Sequence, residues 1–373
     1  LVGAGLLVRT LVQLQNVPLG FDPRNVLTMT VAKSPTGSPE ETGEFFRQLT
    51  ERVRSLPGVA AASVTWQLPL SGAGATTGIE IEGQPKDAAN IPTGVIHSAG
   101  PGYFRTMGIP LLKGRDFTDQ DNMKSPPVII VNETLVKKFF PGGDAIGKHI
   151  TPGFSTTGEP NTREVVGVVG DVKHRGLKGS VVPEFYFPQA QMPVTSITLV
   201  VRTVGDPHAL AGAVRREVQS MDGNAPVFSV VTAEEYMSRS VASTRFNMTL
   251  LAAFATVALL LTAVGLYGVI SFSVSQSTHE IGIRIALGAQ TPDVLKLIIG
   301  QGMVLTVAGV IAGLAAAYWL TRLMSSLLFG VDATDFVTFA GVSLLLLIVA
   351  ALACYVPARR ASRVDPVEAL RYQ

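Results

Sequence analysis

Cysteine is almost absent. Cys354 is the one cysteine among 373 residues, and it sits in an apolar run, so neither an internal disulfide framework nor a cysteine-based metal site can form within one chain. Charge is scarce as well, at 16% of residues, and the two signs nearly cancel to a net +2. So balanced a chain lacks the electrostatic footprint of a nucleic-acid binder, and no nucleic acid is expected as a partner. The histidines are few and scattered: His97, His149, His174, His208 and His279 show no HxxxH or similar spacing. The spacing gives no reason to expect zinc, or a cofactor of any kind. No GxSxG elbow occurs, which removes one common signature of a hydrolase nucleophile. Apolar residues, by contrast, make up 47% of the chain, and the mean hydropathy is +0.35, high for a soluble enzyme.

The apolar residues are concentrated. Residues 247–273, 297–320 and 336–356 contain no Asp, Glu, Lys or Arg, and each reaches the roughly 20 residues needed to cross a hydrocarbon core. Gly309 and Gly313 form a GxxxG, a spacing that lets two helices approach closely, and are predicted to serve helix packing. The opening LVGAGLLV is too short to span and lacks the basic flank and cleavage site of a signal peptide; residues 1–14 read as the outer end of a transmembrane helix that begins upstream. Arg359, Arg360, Arg363 and Arg371 follow the last span, whereas the 321–335 loop carries Arg322 against Asp332 and Asp335. The excess of basic residues predicts that the 357–373 tail and the 274–296 loop are cytoplasmic and that residues 15–245 lie outside. Acidic residues sit at the ends of the spans rather than within them, which argues against an ion-coupled proton relay.

In the external region, 26–32 alternates like a strand, and 40–56 suits an amphipathic helix with Phe45, Phe46, Leu49, Val53 and Leu56 on one side. Pro57-Gly58 breaks it, and 59–66 reads as a second strand. A similar unit recurs downstream: strand 197–204, a helix at 207–221 opened by Asp206-Pro207, and strand 226–231. These two βαβ units read as halves of one split α/β fold, and 67–195, rich in Gly, Pro and short strands, reads as an inserted subdomain. Within it, GGDAIGKH (142–149) imitates a P-loop. A P-loop needs a preceding strand, a following helix and a hydroxyl after its lysine. Here a helix is predicted before it, Pro141 ends that helix and His149 replaces the hydroxyl, so the stretch reads as a turn that packs Ile146 and Ile150 inward. Glu80, Glu82, Asp116, Asp119 and Asp121 lie in polar, turn-rich stretches and read as solvated faces or caps.

Between the first two spans, QSTHEIGIRIALGAQTPDVLKLI (276–298) predicts a short amphipathic helix. Glu280 and Arg284 are spaced for a helical ion pair, while Ile281, Ile285 and Leu287 form its apolar side. Gly288 stands where that helix would end, and Thr291-Pro292-Asp293 opens the next. Such a helix could rest on lipid headgroups or dock a cytoplasmic motor, and the residues leave both readings open.

Taken together, HEIGIRIALGA (279–289), PARRASRVDPVEALRYQ (357–373), PGYFRTMGIPLLKGRDF (101–117), VNETLVKKFFPGGDAIGKHI (131–150) and VVGVVGDVKHRGL (165–177) resemble the MacB/FtsX-type permeases of bacterial ABC transporters. The opening GFDPRNVLTMTV (20–31) further resembles the C-terminal half of a duplicated, acidobacterial-type permease. The resemblance implies an α+β membrane protein: transmembrane helices plus a large periplasmic α/β domain of two βαβ units with an inserted β-rich subdomain. It also implies a non-catalytic subunit in the bacterial inner membrane that couples a separate cytoplasmic ABC ATPase to motion of the periplasmic domain, by mechanotransmission. Glu280, Ile281, Arg284, Leu287 and Gly288 would then be the ATPase-coupling residues, with His279 standing where the family usually has Arg. A second permease half or a homodimer partner, a periplasmic or outer-membrane component and the lipid bilayer are the other partners implied. An FtsX-like signalling protein and an ATPase-free membrane scaffold are the alternatives.

Overall fold

Capping residues decide where several elements of this chain begin. In the computed structural model, α1 (Val2–Gln15) and β1 (Val26–Ala32) precede α2 (Pro39–Arg54), which opens on a capping box. Ser38 Oγ accepts from the Glu41 amide at 3.1 Å and Glu41 Oε2 accepts from the Ser38 amide at 3.2 Å, with Pro39 preset for the first turn. Gly58, at φ +88°, turns the chain into β2 (Val59–Thr65). The insertion then supplies β3 (Ala75–Ile81), β4 (Thr93–Ala99), α3 (Tyr103–Met107), β5 (Leu111–Gly114), β6 (Val128–Asn132), α4 (Glu133–Phe139), β7 (His149–Pro152), β8 (Arg163–Val169) and β9 (Glu184–Pro188). After β10 (Ser196–Thr203), Asp206 caps α5 (Pro207–Met221) by accepting from the His208 amide at 2.9 Å, and β11 (Val227–Thr232) follows. The apolar runs lie on α6 (Ala233–Gln276), α7 (Thr291–Leu323) and α8 (Phe336–Ala361). The structure describes all residues except 16, 34–36, 73, 85–90, 154–161, 178, 277–282, 284–289, 324–334 and 362–373.

The chain divides into two units, Val17–Ala242 and Leu1–Asn16 with Ser243–Gln373. In the first, the sheet begins in the order β11-β1-β10-β2, with β1 antiparallel to both β11 and β10, and β10 antiparallel to β2. Each βαβ unit therefore threads one strand of the other between its own two, which is the split arrangement the sequence predicts. Leu27, Met29 and Val31 of β1 alternate onto one face, where they meet Leu199, Val201, and the buried stripes Phe46, Leu49, Val53 of α2 and Val214, Val218 of α5.

The insertion continues the same sheet through Thr65 opposite Ala99. Its strands pair as β4-β3-β7-β8-β6-β9, and β9 returns to pair with β4 in parallel, closing a ring. Ile79, Ile81, Ile96, Ile129, Val131, Ile150, Val165, Phe185 and Phe187 share one core cluster. Alternate residues on three of these strands, Ile130, Val169 and Tyr186, join a second cluster with Tyr103, Phe104 and Met107 of α3. This is the two-residue alternation of a closed sheet packed inside and out.

In the other unit, among the described residues, three helical stretches are long and apolar enough to cross a membrane: Phe246–Gln276, Gly302–Arg322 and Phe336–Arg359. All three overlap the uncharged runs read in sequence and differ from them by a few residues at one or both ends. Gly302 of α7 lies against Cys354 of α8, where a Cβ would come within 2.6 Å of the cysteine Sγ. Arg9 of α1 forms an ion pair with Asp335, which also accepts from the Thr338 amide at 2.8 Å and so caps α8.

Candidate functional site

A crevice of about 350 Å³ opens in the Val17–Ala242 unit where α2 and β2 meet the 118–124 loop and residues 188–190 of the insertion, a volume typical of a small-molecule pocket. Its rim is built from locked charges. Arg47 donates to Glu44 at 2.6 and 2.7 Å and to Glu51 at 2.7 Å. Hydrogen bonds from Arg47, joined by Gln48, hold the Glu44 carboxyl down at about 2. Arg54 donates to the carbonyls of Ala62 (2.8 Å) and Pro101 (2.6 Å), tying α2 to β2 and to the turn before α3; burial pulls its pKa down. Asp121 accepts two bonds from Arg115 (2.8 and 2.9 Å) and one from the Thr118 amide (2.8 Å). The crevice offers fixed charge of both signs over an apolar floor that includes Phe46 and Val64. Such a surface suits recognition.

The acidic residues of the insertion divide between exposed faces and buried caps. Glu80 and Asp119 are exposed, and Glu82 is exposed and paired with His149 at 2.9 Å. Asp116 is half-buried, and burial raises its carboxyl. Asp121 is buried, because Arg115 and the Thr118 amide replace its water.

The P-loop imitation lies between α4 and β7, the reverse of a phosphate-binding strand-loop-helix. Gly143 and Gly147 take φ +70° and +75°, Ala145 and Ile150 are buried in the ring interior, and Ile146 packs against it.

One group among the described residues has the composition of a metal-binding cluster: His97, His174 and Glu184, all buried. His174 Nδ1 lies 2.8 Å from Glu184 Oε2, and His97 Nε2 lies 3.6 Å from the same oxygen. Sequence spacing misses it because β4, β9 and the segment after β8 come together only in the fold.

In the other unit, Gly309 and Gly313 line an apolar groove of about 670 Å³, with α1, α6 and α8 contributing to its walls. Among the described residues, a Cβ at either glycine would meet nothing within 4 Å, whereas one at Gly302 would lie 2.6 Å from Cys354 Sγ and one at Gly5 2.8 Å from Thr338 Cγ2. The predicted coupling residues Glu280, Ile281, Arg284, Leu287 and Gly288 lie outside the described residues.

Against known families, the profile described as the MacB-like periplasmic core domain matches residues 2–217, and the one described as the FtsX-like permease C-terminal domain matches residues 252–366. Among curated proteins, the chain is 24% identical over 356 residues to the "Uncharacterized ABC transporter permease YknZ" of Bacillus subtilis, covering 91% of this chain and 88% of that one. It is 26% identical over 311 residues to the "Macrolide export ATP-binding/permease protein MacB 2" of Aeromonas hydrophila, covering 80% of this chain but 46% of that one. The chain thus spans nearly all of the first relative and under half of the second. Among solved structures, the periplasmic region of MacB from Actinobacillus actinomycetemcomitans is similar at 14% identity and a TM-score of 0.39, over 59% of this chain and 94% of that one.

Proposed function

Because the chain belongs to the MacB/FtsX-like family of ABC transporter permeases, we propose that it couples ATP hydrolysis by a separate cytoplasmic ABC ATPase to movement of its Val17–Ala242 unit, for export or extraction of a substrate. The observation that carries this reading is α6. It opens inside the Val17–Ala242 unit on a second capping box, in which Thr232 Oγ1 accepts from the Glu235 amide at 3.1 Å and Glu235 Oε2 accepts from the Thr232 amide at 3.0 Å. It then continues as one 44-residue helix through the first apolar span to Gln276, next to the HEIGIRIALGA segment. A helix without a break carries a push or rotation along its length, whereas a flexible linker dissipates it.

On this reading the Val17–Ala242 unit is periplasmic, the chain lies in the inner membrane and the tail is cytoplasmic. The ion pair of Arg9 with Asp335 supports that topology, since the basic flanks assign both residues to the outer side. Glu280, Ile281, Arg284, Leu287 and Gly288 dock the ATPase, and Gly309 and Gly313 present a smooth stripe to a second permease half or a second copy. The crevice beside Arg47 and Arg54 is the surface that meets cargo or a periplasmic or outer-membrane partner.

Leu287→Asp replaces an apolar docking residue with a charge. The expected result is loss of the co-purifying ATPase and of ATP-dependent activity by more than tenfold, with the unfolding transition of the periplasmic unit unchanged. A Leu287→Asp protein that retained its ATPase partner and full activity would remove the docking assignment. Absence of any ATPase from wild-type complexes purified out of native membranes would remove the coupling reading itself.

A further inference from the structure

Buried imidazoles need partners, and here three of four ring nitrogens lack one among the described residues. His97 and His174 are fully buried, and their rings stack with centroids 3.9 Å apart. Among the described residues, neither nitrogen of His97 has a hydrogen-bond partner, and neither does Nε2 of His174. The hydroxyls of Tyr103 and Tyr186 are also buried without a partner, and the Tyr186 ring lies 5.1 Å from that of His97. A carboxylate, Glu184, is buried beside them. An unsatisfied buried polar atom loses its water without a replacement, so a cluster of them within one core calls for a further group that satisfies several at once.

The local fold explains the convergence. β4 and β9 run parallel with Val95 opposite Glu184 and His97 opposite Tyr186, so His97, Glu184 and Tyr186 share one face of the pair. His174 is delivered by the segment after β8, whose backbone is fixed by the Leu70 amide on the Lys173 carbonyl (2.9 Å) and the Gly72 amide on the His174 carbonyl (3.0 Å). Asn132 Oδ1 accepts from the Glu184 amide at 3.0 Å and holds the start of β9.

We infer that His97, His174 and Glu184 form a structural site for a divalent transition-metal ion, zinc foremost. Their ligand atoms all lie within 4.8 Å of one another. Glu184 Oε2 stands 2.8 and 3.6 Å from the two imidazole nitrogens, which brackets the edge of about 3.3 Å that metal–ligand bonds near 2.0–2.1 Å impose on a tetrahedron. Two imidazoles and one carboxylate suit zinc better than magnesium or calcium, which favour all-oxygen shells. Seating the ion opens the stacked rings toward the separation of about 5 Å that tetrahedral coordination requires. The ion would clamp β4, β9 and the 172–177 segment together on the outer face of the ring.

The test uses the full chain purified in detergent, stripped with a chelator and then titrated with Zn²⁺ or Co²⁺. One ion per chain is expected, together with the visible absorption of tetrahedral Co²⁺ and an upward shift in the melting midpoint. Glu184→Gln and His174→Gln should each lower affinity by more than about tenfold, a loss already typical when only a supporting partner of a ligand is removed. The exposed pairs His149–Glu82 and His208–Glu235 are the natural adventitious binders, so a His149→Gln/His208→Gln chain should bind like wild type. A stripped wild-type chain that melts cooperatively yet takes up no ion overturns the site, as does uptake that Glu184→Gln leaves unchanged. If the ligand variants fail to fold, the wild-type Co²⁺ spectrum decides: tetrahedral absorption supports the site and its absence overturns it.

Discussion

Phe46 and Phe254 have the same side chain and opposite surroundings. Phe46, on α2, is fully buried among the strands of the Val17–Ala242 unit, whereas Phe254, on α6, is 63% exposed. The contrast runs through both units: Leu49, Val53, Leu199 and Val201 are buried, while Leu261 and Trp319 are 68% and 69% exposed. What differs is the solvent. In water an apolar side chain is stabilised by leaving the surface; in lipid there is no such gain, since the acyl chains are as apolar as leucine, and helices associate by close packing instead. The two units therefore specify their folds by different means, one by burial and the other by shape.

The largest effect expected from that difference is at Phe46. Phe46→Ala should cost about 3–5 kcal/mol of stability in the Val17–Ala242 unit, whereas Phe254→Ala should cost under about 1 kcal/mol in a bilayer, where lipid fills the space. The chain's two tryptophans make the measurement selective, since Trp66 packs on the ring interior and Trp319 lies on α7. In a Trp319→Phe background, unfolding followed by Trp66 fluorescence reports on the Val17–Ala242 unit alone. Equal costs at the two phenylalanines would break the comparison.

A smaller effect tests the role of shape. Gly302→Val forces its added atoms against Cys354, already 2.6 Å from a built Cβ, and overpacking of this kind costs about 1–3 kcal/mol. Among the described residues a Cβ at Gly309 meets nothing within 4 Å, so Gly309→Val should leave thermal stability in detergent unchanged. If the GxxxG stripe seats another helix, Gly309→Val will weaken the assembly without touching the fold, a split visible by comparing melting with the oligomer population in nanodiscs. Destabilisation of the isolated chain by Gly309→Val would move the packing contact back inside the chain.

These contrasts also explain which features were legible in sequence. The spans were readable because uncharged length is a local property, and the split βαβ halves because Ser38, Pro39, Asp206 and Pro207 punctuate strong amphipathic helices. The closing of the ring was not, since it rests on β4 pairing in parallel with β9, a contact between short strands far apart in sequence. The same pairing brings His97 to Glu184, so the histidine cluster was hidden with it. The GxxxG of Gly309 and Gly313 stood out by spacing, whereas the close approaches at Gly302 to Cys354 and at Gly5 to Thr338 are ones that no local pattern reveals. Ring closure, buried cluster and helix contact all depend on partners that arrive from distant sequence.

The smallest effect sits where burial and charge meet in the Val17–Ala242 unit. Burial alone would raise the Asp121 carboxyl, but hydrogen bonds from Arg115 and the Thr118 amide outweigh it and hold the group below its ordinary value of 3.8. A depressed carboxyl stabilises the fold at every pH above its unfolded value, and that contribution disappears as the pH falls through the folded value. Asp121→Asn keeps the size and one acceptor but removes the charge facing Arg115, whose side chain is 47% exposed, so water screens part of the pair. The expected cost is about 1 kcal/mol at neutral pH. It should be constant from neutrality down to about pH 5 and then shrink, as the wild type loses at low pH the advantage the variant never had. Trp66-monitored unfolding across pH 7 to pH 3 measures it, and a gap between the two chains that widened on acidification would mean that Asp121 is held protonated by burial rather than ionised by Arg115.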